Sequence, residues 1–363
     1  MSSRLALASR RLFSLALAVG LALWTGSRVL GGPIADRVSL PEPWLVTSDA
    51  AGTHTTTPGT PAFGLNVDGV VRLTITGAAG TFLCTGVLIA DTYLLTAAHC
   101  VDSNLDGIVD MTSGTALFEL PGPDVTINLL SAVVPAAWNG SVYSGADIAV
   151  IQLAATAPAA APRYVLNGRP DDIGQEAIVV GYGRGGHGST GASLAAGTKR
   201  AGLNKLEADG KAVGDVLGGS FPSIPAGSML VYDFDSGTAA NNALATLGFT
   251  SDLGFGDDEV GAAPGDSGGP LFRRDDFSVT AITSFGVGFT GPPDANPGTN
   301  SSWGELDYVT RVYYWRGFIS SATANTASFT PEPSTMTLAL VGIVGIAYRR
   351  LRFRRQRGTA AGS

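Results

Sequence analysis

Three short segments carry the residue types needed to turn an alcohol into a nucleophile. A serine sits between glycines and behind an aspartate in Gly265-Asp266-Ser267-Gly268-Gly269-Pro270. A histidine lies in Leu95-Thr96-Ala97-Ala98-His99-Cys100, and an aspartate in Ala146-Asp147-Ile148-Ala149-Val150. A serine hydroxyl is weakly nucleophilic at its own pKa and needs a base within hydrogen-bond reach. Imidazole titrates near neutrality, so it can take that proton and return it to a leaving amine. A carboxylate against the other ring nitrogen holds the tautomer and stabilises the imidazolium. Each residue alone has a plainer explanation: a satisfied core histidine, an aspartate capping a turn, a serine in one of many tight turns in a chain with 49 glycines. Such explanations cover one residue each, not the set His99, Asp147 and Ser267. His54 and His187 lie in Thr-rich and Gly-rich stretches and read as loop residues.

A framework must carry positions 99, 147 and 267 to one place, and the dominant pattern in the middle of the chain is β. Residues 70–75, 82–89, 126–134, 148–153, 177–182 and 279–285 are short β-rich runs bounded by Gly, Pro or Asp. No convincing long amphipathic helix precedes residues 309–319, and no internal repeat is evident. With 363 residues, 45% of them hydrophobic, the chain can bury a full core in one large or two smaller domains. The pattern predicts an all-β fold, a sandwich or barrels.

Further pieces fall in a telling order. Gly181-Tyr182-Gly183 follows an apolar run, Ser284-Phe285-Gly286 follows the serine, and Tyr308-Val309-Thr310-Arg311-Val312 comes near the end. With the three segments above, they resemble the chymotrypsin/trypsin-like serine peptidases across residues 60–320, with the poorest match at 190–260. The resemblance implies two six-stranded antiparallel β-barrels, about 60–165 and 175–320, with a short C-terminal helix and a cleft between the barrels. His99 and Asp147 would come from the first barrel and Ser267 from the second. It also implies peptide-bond hydrolysis through an acyl-enzyme, with no cofactor required for catalysis. The N–H groups of Gly265 and Ser267 would form the oxyanion hole, and Ser284, Phe285 and Gly286 the strand edge that pairs with substrate. Ser284 would also support Asp147.

Departures from the family pattern are informative. Six positions before the nucleophile, where trypsin-type members carry a specificity acid, stands Gly261, which predicts an apolar or small side chain before the scissile bond; Asp257, Asp258 and Glu259 lie close enough for a shifted loop to alter this. No Ile-Val-Gly-Gly lies ahead of Cys84, and residues 62–68 are the nearest substitute for the activating terminus that would pair with Asp266. Cys84 and Cys100 are the whole cysteine inventory. In a reducing compartment they would be two buried thiols; export signals and the family's spacing predict a disulfide, whose closure contributes about 3 kcal/mol. Ala263 stands where the family commonly has another cysteine.

Both ends read as addresses. Residues 1–32 have a basic start (Arg4, Arg10, Arg11) and an apolar stretch, as a secretory signal does, with a twin-arginine variant also open. Residues 33–59 would be a pro-segment or linker and 321–330 a tether. Pro331-Glu332-Pro333-Ser334-Thr335, an apolar run at 336–348 and six arginines after it make a tripartite tail over 331–358. Thirteen apolar residues are short for a span of ~20, so a marginal anchor is the plain explanation. The layout resembles the PEP-CTERM sorting signal, which implies a hydrophobic sorting helix, membrane contact before processing, an exosortase-like sorting enzyme as partner, and a bacterial cell surface, outer envelope or extracellular matrix as destination. Removing the four arginines before residue 33 and the six after 348 takes the formal charge from −7 to −17, an acidic body that argues against nucleic acid as a partner.

Directly after the histidine motif, Asp102, Asn104, Asp106 and Asp110 fall at positions 1, 3, 5 and 9 of a loop with Gly107 at position 6. With the carbonyl of Ile108, this spacing suits structural calcium. Position 12 is Ser113 rather than a bidentate glutamate, so an Asx-rich turn is the alternative. The whole predicts an exported, surface-sorted serine endopeptidase acting on proteins or peptides. Its rival is a non-catalytic surface binding module that keeps the fold.

Overall fold

The computed structural model describes residues 46–47, 54–219 and 221–332. The secretory signal and nearly all of the sorting tail, including 336–348, lie outside the described residues. No helix among those described is long and apolar enough to cross a membrane.

Six strands close the first barrel: β1 (Val70–Gly77), β2 (Gly80–Ala90), β3 (Tyr93–Thr96), β4 (Ser113–Phe118), β5 (Val125–Val133) and β6 (Ala149–Leu153). Their order around the barrel is β1-β2-β3-β6-β5-β4, antiparallel throughout. Val71, Leu73, Leu88, Leu94, Phe118 and Ile151 fill its interior, each contributing about 1.5–3 kcal/mol by leaving water.

The second half contains β7 (Glu176–Gly181), β8 (Arg200–Lys205), β9 (Met229–Asp233), β10 (Pro270–Arg273), β11 (Val279–Val287) and β12 (Leu306–Arg311). Their order, β8-β7-β10-β11-β12-β9, repeats the first barrel's connectivity, with two-residue strand Ala208–Asp209 added beside β9. The expectation of two closed six-stranded barrels is corrected here: no ladder joins β8 to β9, and the second unit is an open half-barrel. The physical reason lies at that seam. Residues 259 and 260 run along β8, where Val260 packs against Gly202 so tightly that a Cβ on Gly202 would lie 2.0 Å from it. Asn204 spans the gap instead, its Nδ2 donating to the carbonyls of Asp233 and Val260 and to Glu259 Oε1.

The C-terminal helix, Val312–Ala322, starts three residues later than expected because residues 309–311 complete β12. It docks through Val312 and Ile319 on the shared core, and Trp315 Nε1 donates to the Gly145 carbonyl two residues before Asp147. The expected tether does not leave the domain at once: Thr330 N donates to Leu166 O, and Leu166 N to Ser328 O. At the other end, His54 is buried and its carbonyl accepts from Ala201 N at the edge of β8.

Candidate active site

β3 and β6 are antiparallel neighbours with Thr96 opposite Ala149. The end of one and the start of the other therefore share an edge. His99 follows β3 on the 3-10 turn Ala98–Cys100, and Asp147 precedes β6 by two residues. The ladder thus brings together two residues 48 positions apart. Asp147, fully buried, accepts from His99 twice: Oδ2 from the ring Nδ1 at 2.8 Å and Oδ1 from the backbone N–H at 2.9 Å. Ser284 Oγ also donates to Asp147 Oδ2 (2.5 Å), and Thr310 Oγ1 donates to its carbonyl.

Ser267 is delivered from the other half, on the turn before β10. Its Oγ lies 2.7 Å from His99 Nε2. The turn is fastened to the first barrel by Thr85, whose N–H donates to Ser267 O and whose hydroxyl donates to Gly265 O while accepting from Tyr182 N. Gly268 N donates to Thr283 O. Among the described residues, no acceptor takes the N–H of Gly265 or of Ser267. Cys84 and Cys100 form the expected disulfide, tying β2 to the His99 turn.

Electrostatics follow from the same contacts. Burial alone would lower the His99 pKa, but the charge and hydrogen bond of Asp147, with Asp102 adding to them, hold it above 6.5. Burial would raise Asp147; His99 and the bonds from Ser284 and the His99 N–H hold it below the usual carboxylate range. The arrangement can pass a proton from Ser267 to an imidazole whose other nitrogen faces a carboxylate.

Asp266 is fully buried, and burial pushes its carboxyl well above the usual range. Its oxygens accept from Gly183 N and Ala263 N, and a Cβ on Gly181 would collide with Oδ1 at 1.8 Å. That contact explains the first glycine of Gly181-Tyr182-Gly183. Residues 62–68, the substitute terminus, instead bury Leu65 and Val67 in the core.

A small open cleft lies beside Ser267, lined by Ala262, Ala263, Thr283, Ser284, Phe285, Gly286 and Asp307. Ser284, Phe285 and Gly286, which the resemblance implied as the substrate-pairing edge, lie on this cleft, with Phe285 stacked on Tyr308 at 4.6 Å. Gly261 is not among the lining residues. It pairs with Val46, and a Cβ there would meet the Phe234 ring at 2.8 Å. Nor do the nearby acids reach the pocket: Asp257 and Asp258 are exposed, and Glu259 turns toward Asn204. Sequence reasoning missed Asp307, Thr283, Thr85 and Thr310. A charged residue among the apolar neighbours of Leu306–Arg311 was the available signal for Asp307.

The loop considered for calcium is closed by its own donors. Asp102 accepts from Asp106 N, Gly107 N and Trp138 Nε1; Asp106 accepts from Ile108 N and Asn104 Nδ2; Asp110 accepts from Ser103, Asn104 N and Ala78 N. Ile108 is exposed. Among the described residues, no group of three or more His, Cys, Asp or Glu is placed to hold a metal ion. These local bonds are those of an Asx-rich turn.

Comparison with known proteins points the same way as the fold. The family described as Trypsin matches residues 58–208, a span that includes His99 and Asp147 but ends before Ser267. Chymotrypsin-like elastase family member 1 of Bos taurus is 37% identical over 82 residues, 22% of this chain and 30% of that protein. The chain thus matches less than a third of that relative's length. A solved structure of HL collagenase has a TM-score of 0.52 at 16% identity, covering 75% of this chain and 98% of that one. At that identity the likeness concerns fold. Together these findings support a trypsin-like serine peptidase domain of chymotrypsin fold.

Proposed function

We propose that this chain is an exported serine endopeptidase that cleaves peptide bonds through an acyl-enzyme on Ser267. One observation carries the reading: the unbroken hydrogen-bond line from Ser267 Oγ to His99 Nε2 and from His99 Nδ1 to Asp147 Oδ2. As Ser267 Oγ attacks the scissile carbonyl, His99 takes its proton and then delivers it to the departing amine. Asp147 fixes the tautomer that leaves Nε2 free to accept. The unspent N–H groups of Gly265 and Ser267 receive the oxyanion; losing one such donor typically costs ~3 kcal/mol of transition-state stabilisation. The 284–286 edge pairs with the substrate backbone. Because Asp266 is already satisfied by Gly183 and Ala263, shaping the oxyanion turn does not wait for a newly cut terminus.

Export through residues 1–32 and surface sorting through a PEP-CTERM-type tail at 331–358, read by an exosortase-like enzyme, complete the proposal; the disulfide suits an oxidising compartment. The test is labelling of the protein with a fluorophosphonate probe beside Ser267→Ala and His99→Ala. Labelling of the wild type alone supports the reading. A folded wild type that stays unlabelled, with no peptide hydrolysis, refutes it and favours the non-catalytic module.

A further inference from the structure

The chain ahead of the first barrel is built into the second half. Val46–Thr47 forms a two-residue strand with a partner on each side. On one side it runs antiparallel to Val260–Gly261, with Val46 opposite Gly261 and Thr47 opposite Val260. On the other it runs parallel to Gly186–His187, with Thr47 opposite His187, and Gly186–His187 pairs in turn with Gly191–Ala192. Among the described residues no ladder joins 186–187 to 260–261 directly, so in this sheet the N-terminal strand is their link. From residue 54 the chain is fixed again, along the edge of β8: Ala201 N donates to His54 O, and Thr56 N donates to Lys199 O.

The two segments that this strand joins are the ones that hold Asp266. Gly183, three residues before Gly186, donates its N–H to Oδ1, and Ala263, two residues after Gly261, donates its N–H to Oδ2. The positive charge that favours the ionised form of Asp266 is internal: it is Arg200, itself buried, whose Nη1 donates to Gly183 O. Asp266 stands between Gly265 and Ser267, whose N–H groups have no acceptor among the described residues. Whatever steadies 183–187 against 260–263 therefore steadies those two donors.

Resting on the peptidase reading above, we propose that Val46–Thr47 is a strap that keeps the turn around Ser267 in its working shape, so that the segment ahead of residue 54 sustains the activity of the uncut chain rather than restraining it. Residues 33–59 are then neither a removable pro-segment nor a slack linker, and loss of this strand lowers turnover instead of releasing it. The reason is geometric. Without the middle strand, 186–187 and 260–261 each lose a ladder, and the two donors to Asp266 are free to move apart. A shift of about 1 Å at a reacting group costs on the order of 100-fold in rate.

Two variants of the full chain test this. One combines Val46→Pro with Thr47→Pro, which removes both N–H donors and cannot pair as a middle strand; the other deletes residues 33–47. Hydrogen exchange, read by mass spectrometry on peptides covering 183–194 and 259–266, should quicken by at least about tenfold in both variants, while residues 87–95 of the first barrel keep their protection. In peptide hydrolysis, kcat and kcat/KM should fall together by about 10–100-fold at nearly constant KM, with the fluorophosphonate labelling rate following them. If the deletion fails to fold, the double-proline chain decides. Unchanged exchange at 183–194 and 259–266 overturns the strap. So does a turnover rate per folded molecule equal to that of the wild type, which would leave the strand an ordinary stabilising contact, or one above it, which would make the segment an inhibitor. A wild type that never labels, with exchange still faster in the variants, sinks the peptidase reading and leaves the strap standing.

Discussion

Gly268 offers a sharp test of how the nucleophile turn is held. Its φ is +80°, in the left-handed region, and a Cβ there would lie 1.9 Å from Thr96 Oγ1 and 2.4 Å from Thr85 O. Neither atom is free to retreat, because Thr96 Oγ1 donates to Thr85 O at 2.8 Å while Thr85 N–H and hydroxyl hold Ser267 and Gly265. Gly268→Ala therefore carries a backbone cost of about 1–2 kcal/mol and an overpacking cost of typically 1–3 kcal/mol. Together they destabilise the protein by about 2–5 kcal/mol. The strain is relieved most readily by lifting the turn off the first barrel, which carries Ser267 away from His99. A displacement of about 1 Å at a reacting group costs on the order of 100-fold in rate. Urea unfolding reads the first effect and the fluorophosphonate labelling rate the second. Gly122→Ala is the control, since its Cβ meets nothing within 4 Å, and it should change stability by less than about 0.5 kcal/mol. A Gly268→Ala protein with wild-type midpoint and labelling rate would refute the docking argument.

Other expectations follow from the same contacts. The acid limb of kcat/KM should lie above 6.5, because Asp147 holds the His99 pKa up; Asp147→Asn should move it down and lower kcat by about 10⁴-fold, the loss a wrong tautomer causes in such triads, and an unmoved limb would exclude His99 as the titrating base. Ser284→Ala removes a hydrogen bond to a buried carboxylate, a change of about 1.5–3 kcal/mol, and thermal melting should detect it. Replacing Cys84 and Cys100 together by serine should cost about 3 kcal/mol in denaturant unfolding, with reducing agent giving the same loss in wild type and none in the variant. Stability should also fall on the alkaline side. Glu207 is pushed up to about 9 and Asp235 and Glu305 to about 8, mainly by burial, so the native chain holds protons that the unfolded chain has released. That stability is complete below about pH 4 and is lost as pH rises toward about 8 to 9. Melting temperature at about pH 9 should sit below that at about pH 5, and Glu207→Gln should narrow the gap; a flat profile would contradict this.

What could be read from the chain before folding depended on whether a residue's role was encoded locally. The turn around Ser267 needs glycines at fixed offsets, and the residues beside His99 and Asp147 run into strands with strong apolar signals, so those segments announced themselves. The first-barrel strands 70–75 and 82–89 were visible for the same reason, although Ser113–Phe118, with Ser, Gly and Thr leading it, was not. In the second half the strands are buried on both faces, so alternation disappears. Arg200–Lys205 hides the buried Asn204 beneath a polar composition, and Leu306–Arg311 looks like the lead-in to a helix. The shared strand order of the two halves leaves no trace as a sequence repeat, because what recurs is backbone pairing rather than side-chain identity. The pocket marks the limit most clearly. An offset counted along the chain assumes that the loop before Ser267 keeps one path, but here Phe234 fills the space beside Gly261 and the carboxylate arrives from a neighbouring strand. Which side chains line the cleft beside Ser267 is a property of strand adjacency, and here β12, not the loop before the nucleophile, contributes its one carboxylate, Asp307.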